Sequence, residues 1–349
     1  MKKVFVLLLG AMMWCTTGAQ VMEEGESALV YYSPKTAITV DFTYSIETHE
    51  QGIYSDFAEA MLGTDAAETE NRTVYTLQKA QIGTATSADY SRPHKVLPDA
   101  CVPMLLTINE KGVLKGYNLP AEQSVKKNDK HKNSTNIGQT SDKSMPITIA
   151  PFSEEVLEAA TPLAQANAVA KQIFRIRETR MYLLNGEVEH LPADGQAMKL
   201  VLEELDKQEK ALTELFVGKK SVRTEHKRIL LEPTEEDKLL YFSEENGFTN
   251  SDNLDADTIR IKMALHAQSF KANDSKKKKK GAELSQIVYN LPGSACVSVS
   301  YEGGIIEKRT VAVAQLGVDV PIAKDVFTRS ELPIIVFNEK TGNIVSISK

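Results

Sequence analysis

The chain has 349 residues, of which 42% are hydrophobic and 25% charged, and its formal net charge is −6. That composition gives enough apolar surface for two modest cores and excludes a chain disordered throughout. The acidic balance excludes a nucleic-acid binder of the basic-surface kind.

In chain order, residues 1–19 have the pattern of a signal peptide. Lys2 and Lys3 form a positive start, Val4 to Trp14 an apolar core, and Thr17-Gly18-Ala19 a small-residue cleavage site before Gln20. The apolar run is short for a membrane span, and no later stretch reaches the needed length, so no transmembrane segment is expected in the mature chain. Lipid attachment at Cys15 is disfavoured, because bulky Trp14 stands where such sites take a small residue. The mature protein is expected to be exported, to the periplasm first, with the cell surface or exterior as alternatives. Cys101 and Cys296 would remain there, either bridged or as separate thiols.

Residues 20–120 read as an N-terminal β-rich domain. Ile38, Val40, Phe42, Tyr44 and Ile46 alternate with polar or small residues, the period of a half-buried strand. Tyr54 to Leu62 predicts a short helix ending at Gly63, Val74 to Ile82 a strand, and Pro103 to Tyr117 two strands joined by Asn109-Glu-Lys-Gly112. Residues 121–150 lose all aromatics and fill with Lys, Asn, Ser, Thr and Gln. Such a stretch cannot offset its ordering entropy, so a disordered linker or loop is expected.

Residues 151–218 predict a helical hairpin, opened by a short helix behind Ser153. The first long arm takes Thr161 as N-cap, Pro162 at its first position and Asn185-Gly186 as its stop. Leu163, Ala166, Ala170, Ile173, Phe174, Met181 and Leu184 form its inward stripe. The second arm runs from Asp194 to Gly218, with Met198, Val201, Leu202, Leu205, Leu212, Leu215 and Phe216 inward. Residues 219–349 return to strands as a C-terminal β-rich domain, interrupted by Lys276 to Lys280, a lysine run read as a solvated loop or an anionic-polymer contact. The fold class expected is α+β: two related antiparallel β-rich domains joined by a long helical hairpin.

The two β regions echo each other. Tyr31-Tyr-Ser-Pro34 recurs as Tyr289-Asn-Leu-Pro292, Ala80-Gln-Ile-Gly83 as Ala314-Gln-Leu-Gly317, and Pro103-Met-Leu-Leu-Thr-Ile-Asn-Glu-Lys111 as Pro333-Ile-Ile-Val-Phe-Asn-Glu-Lys340. Three matches in one order predict an internal duplication, each at an equivalent β position. The residues concerned are strand entrances, bends and hairpin turns, which instruct folding.

With Arg175-Ile-Arg-Glu-Thr-Arg180, Leu191-Pro-Ala-Asp-Gly195 and Glu214-Leu-Phe-Val-Gly218 added to these motifs, the sequence resembles a family of exported Bacteroidetes proteins known only as a domain of unknown function. The resemblance spans nearly the whole mature chain. It implies a Gram-negative envelope setting and brings no catalytic residues with it.

Signatures of chemistry are weak. Gly218-Lys-Lys-Ser221 lacks the first glycine of a phosphate loop, Thr213 standing in its place. The histidines have no zinc spacing, and Asn253, Asp255 and Asp257 lack the glycine and glutamate of a calcium loop, so no metal or cofactor is expected. No GxSxG elbow is present, although a Ser-His-Asp set assembled only in three dimensions leaves no such trace.

The candidate site residues are Arg175, Arg177 and Arg180, with Glu187 and His190 in the adjoining turn. They would serve either as a grip for a carboxylate or phosphate, or as a structural clamp on Glu203, Glu204 or Asp206 of the partner helix. The function expected is a non-catalytic periplasmic binding or envelope-assembly module whose partner is an envelope protein, peptide or glycan. The alternative is an exported hydrolase with a dispersed site.

Overall fold

The structure, a computed structural model, describes residues 28–96, 105–120, 152–188, 194–250, 255–269, 287–323, 326–327 and 331–348. The expected signal peptide at 1–19, the expected linker at 121–150, Cys101, His190 and the Lys276 to Lys280 run lie outside the described residues.

In chain order the elements are β1 (Leu29–Glu50), a 3-10 turn (Ser55–Phe57), α1 (Ala58–Leu62), β2 (Arg72–Val96), β3 (Leu106–Ile108), β4 (Leu114–Tyr117), α2 (Glu154–Glu158), α3 (Pro162–Asn185), α4 (Gly195–Val217) and β5 (Lys219–Leu231). There follow β6 (Lys238–Ser243), β7 (Gly247–Thr249), β8 (Asp257–His266), β9 (Val288–Tyr301), β10 (Gly304–Pro321), β11 (Ile334–Phe337) and β12 (Ile344–Ser348). The protein is β-rich, and its strands form three antiparallel sheets in the orders β2-β1-β5, β10-β9-β8-β6-β7 and β12-β11-β4-β3.

Period-two alternation sets the first two sheets against each other. Ile38, Val40 and Phe42 of β1 and Ile82 of β2 are fully buried against Ile259 and Ile261 of β8, Val297 and Val299 of β9, and Val313 of β10. Each large apolar side chain buried this way contributes about 1.5–3 kcal/mol, and a one-residue slip in register would turn the whole set outward. A smaller core joins Tyr31, Leu114 and Tyr117 to Ile287, Phe327, Ile335 and Phe337. Both cores draw on both β-rich stretches, so the expectation of two β-rich domains gives way to three sheets on shared cores.

The helices make a third core, in which Val169, Ile173, Leu212 and Phe216 pack with Tyr54, Ala58 and Val156. Their ends follow local rules. Thr161 Oγ1 accepts from the Ala164 amide at 3.2 Å, the Asp194 carboxylate accepts from Gln196 and Ala197, and Gly186 turns left-handed beyond α3. Ser153 precedes α2 without a side-chain capping bond.

The inward stripe of α3 is corrected. Ala166, Ala170 and Ile173 are buried with Ala168, Val169 and Ile176, but Leu163, Phe174, Met181 and Leu184 are exposed. Apolar residues nearly surround this helix, and its close-packing alanine-rich side faces the core. Val201 of α4 is also exposed.

The position of the helices is corrected too. The amides of Tyr54 and Glu68 donate to the carbonyls of Leu215 and Val217, at 2.8 and 3.0 Å. A Cβ on Gly52 would stand 2.5 Å from the Leu215 carbonyl oxygen, so only glycine allows this approach. Buried His49, near the end of β1, lies between Glu47 and Glu68 at 3.0 and 2.8 Å. The helices thus sit on the connection between β1 and β2 and do not fasten the two β copies together.

The first sequence echo and the turn of the third are structurally equivalent. Asn109 Oδ1 accepts from the amide of Lys111, and Asn338 Oδ1 from that of Lys340. Gly112 and Gly342 both have φ near +80°. The amides of Tyr32 and Asn290 donate to the carbonyls of these two glycines, at 2.9 and 3.0 Å. The second echo is not equivalent: Ala80 to Gly83 pairs regularly with Phe42 to Thr39, whereas Ala314 to Gly317 is an excursion opposite Pro292. The comparable excursion of the first hairpin is residues 89–92, opposite Ser33.

Candidate functional site

The arginines at the end of α3 are engaged across the helix pair. Arg177 Nε donates to Glu209 Oε1 at 2.6 Å, and Arg180 makes ion pairs with Glu209 at 2.6 Å and Asp206 at 2.5 Å. Arg175 reaches Glu155 of α2 at 3.5 Å. Burial raises the proton affinity of Glu209, but hydrogen bonds from Arg177 and Arg180 outweigh it and hold the carboxyl below its usual value. Of the three expected acids only Asp206 is used here. Glu203 and Glu204 pair instead with Lys199 and Lys207 on their own helix. Glu187 lies on the exposed turn beyond α3.

A second polar group lies where the two β stretches meet. The Tyr31 hydroxyl donates to the Val288 carbonyl at 2.7 Å and accepts from the Val288 amide at 2.8 Å. Gln315 does the same for Thr36: its Oε1 accepts from the Thr36 amide at 2.9 Å, and its Nε2 donates to the Thr36 carbonyl at 2.7 Å. Each β stretch thus lends the other a side chain in place of a neighbouring strand. Asn290, fully buried, donates from Nδ2 to the carbonyls of Ala314 and Thr341 at 2.9 and 2.8 Å.

Within this junction stand Ser33, His94 and Asp319, a set invisible in the sequence. Ser33 Oγ is 2.7 Å from His94 Nε2, but Asp319 lies on that same side, 3.7 Å from Nε2 and 3.5 Å from Ser33 Oγ. A hydrolytic relay needs its carboxylate on the opposite ring nitrogen and a nucleophile open to substrate. Ser33 is buried and the His94 ring stacks on Tyr31. Burial, opposed by Asp319 and aided by Arg92, holds His94 below its ordinary pKa. The trio has the composition of a catalytic set with the geometry of a structural joint.

The third feature is a seam between two sheet edges. β2 ends one sheet and β10 ends another. An open groove of about 520 Å³ lies between Leu77 to Gln81 on one wall and Tyr301, Ile306 and Glu307 on the other. A second, of about 280 Å³, lies between Gly83, Thr84 and Thr86 on one wall and Arg309 to Ala312 on the other, bordered by Asn338, Lys340 and Thr341. The two strands therefore track each other in the same direction. Each carries a one-residue bulge on the first groove, Gln78 in β2 and Ile306 in β10.

The outward side of β2 can be read from its partners. The Ile82 carbonyl accepts from Arg309 Nη1 at 2.9 Å and the Thr86 carbonyl from Lys111 Nζ at 3.2 Å. Backbone groups of alternate residues share a side, so Ala80, Ile82, Thr84 and Thr86 turn their amides and carbonyls away from β1. Among the described residues no strand pairs with that row. Sequence spacing could have suggested the parity but not the edge, because the strand order is a property of the fold.

These features define an antiparallel, three-sheet β protein with an open seam between two sheet edges and a clamped helix pair at one end. The chain belongs to the family described as a domain of unknown function (DUF4831), whose model matches residues 27–345. No curated protein and no solved structure matches it. Among the described residues no helix is long and apolar enough to cross a membrane, and no group of three or more His, Cys, Asp or Glu side chains is placed to hold a metal ion.

Proposed function

We propose that the protein is a non-catalytic, exported binding or assembly module of the cell envelope, periplasmic in setting, that takes an extended peptide as an added strand in the seam between β2 and β10. The observation that carries this reading is the pair of sheet edges, unpaired among the described residues, that run in one direction along an open groove. Exposed strand edges recruit extended chains through their backbone groups, and the outward row of β2 is such an edge. Two related β units, with a helical hairpin on the first, serve as the scaffold. The leader pattern supports export, and the family resemblance supports a Bacteroidetes envelope. A peptide is favoured over a glycan because the groove presents rows of backbone donors and acceptors.

The hydrolase alternative has less support, since Ser33, His94 and Asp319 lack a relay geometry. Hydrogen exchange tests the binding reading. With a strand-forming peptide bound, the amides of Ala80, Ile82 and Thr84 should slow while their neighbours facing β1 stay unchanged. Thr84→Pro, which removes an outward donor without touching the ladder to β1, should weaken binding. Protection elsewhere, or turnover of an envelope substrate lost on a single substitution in a folded protein, would overturn it.

A further inference from the structure

We propose that Arg309 is a latch on the β2 edge that selects acidic peptides, seating a carboxylate of the added strand between Arg309 and Lys340. This rests on the strand-addition reading and names the chemistry of its ligand. The Ile82 carbonyl belongs to the outward row that an added strand must use, and Arg309 Nη1 occupies it at 2.9 Å. Entry of a strand therefore displaces the guanidinium. A neutral peptide spends its carbonyls on the ladder and returns the displaced cation to water, with no bond gained in exchange. A carboxylate offers the planar, two-oxygen partner that a guanidinium fits, and charge-assisted bonds of this kind are about twice as strong as neutral ones.

The surroundings fit that ligand. Arg309 and Lys340 line the smaller groove, and neither makes an ion pair among the described residues. The remaining walls carry the hydroxyls of Thr84, Thr86, Thr310 and Thr341 and no carboxylate. A cation on a sheet edge also guards against aggregation. Guarding alone predicts no preference among peptides, which separates the two roles.

The test is selection of ten-residue peptides from a random displayed library by the full mature chain, followed by affinity measurement on synthetic copies. The wild type should enrich aspartate or glutamate at one position of strand-forming peptides. Arg309→Ala should lose about tenfold in affinity for the acidic peptides while holding their neutral counterparts at least as tightly as the wild type, because the latch is gone. Arg309→Lys should keep part of the acidic preference, and Lys340→Ala should reduce it.

Strand-forming peptides selected without acidic enrichment, or losses equal for acidic and neutral peptides in Arg309→Ala, would overturn the latch and leave strand addition standing. Selection of no strand-forming peptide would overturn both. A dimer in sedimentation that Thr84→Pro dissociates would assign the seam to a second copy of the chain and overturn the acidic-peptide assignment. Arg309 is exposed, and an unchanged melting curve for its variants shows that they fold.

Discussion

The unit formed by β1 to β4 and the unit formed by β9 to β12 use one backbone plan with different side chains at its centre. In each, a long hairpin precedes a short one, an asparagine shapes the short turn, and a left-handed glycine accepts from the long hairpin. The residue that donates to that glycine is Tyr32 in the first unit and Asn290 in the second. Tyr32 packs at the surface edge-on against Tyr90, whereas buried Asn290 ties together the excursion and the turn of its own unit. The first hairpin is also longer, and its far end carries the helices. The two units share what the backbone needs and differ in the side chains that interlock them.

Substitutions at equivalent positions break this comparison to different degrees. Asn290→Ala should be the most damaging, at about 3 kcal/mol, because it leaves the carbonyls of Ala314 and Thr341 buried without their donor. Tyr32→Ala should cost about 1 kcal/mol through lost packing alone. Urea denaturation of both variants measures the gap.

The two glycines come next. Both have φ near +80°, where a side chain adds about 1–2 kcal/mol of strain. A Cβ on Gly342 would also meet Asn290 Cβ at 2.9 Å and the Pro34 ring, whereas on Gly112 it would meet only the Tyr32 ring, at 3.0 Å. Gly342→Ala should therefore be the more destabilising of the pair in the same assay.

A smaller effect distinguishes the helices from the sheets. Glu209→Gln weakens two arginine contacts and should cost about 1 kcal/mol, read as faster hydrogen exchange in α3 and α4 with β8 and β9 unchanged. The Glu209 carboxyl has a lowered folded pKa, so its contribution is present above the ordinary carboxylate value and fades as pH falls through the folded one.

The smallest expected effect is at the junction. His94 has a folded pKa below its ordinary 6.5, so protonation favours the unfolded chain. Stability should be full above 6.5, fall as pH drops from there toward the folded pKa, and lose that component in His94→Gln. A pH series of melting curves would show it.

Local rules were legible in the sequence and long-range ones were not. Thr161, Asp194 and Gly186 mark their helix ends because capping is decided within a few residues. Ile38, Val40 and Phe42 alternate because a strand half buried anywhere must alternate. The Asn109 and Asn338 turns were visible for the same reason. The partners of Tyr31 and Gln315, 257 and 279 residues away, leave no spacing to read. Ala314 to Gly317 shares letters with Ala80 to Gly83 but not its place, because four similar letters do not encode register. Of the candidate cluster, the arginines were found but their main acid, Glu209, was not, since helix rotation decided which acid faced them. The seam leaves no trace in the sequence because it depends on strand order.

The reciprocal bonds of Tyr31 with Val288 and Gln315 with Thr36 bear on how the molecule comes apart. Neither copy can melt first without stripping the other of an acceptor and a donor in its own ladder, so the sheets should lose heat-capacity signal in one cooperative step. The helices, with a separate core, are free to leave earlier. Calorimetry would then record a small transition ahead of a large one, although the β plan recurs in both units.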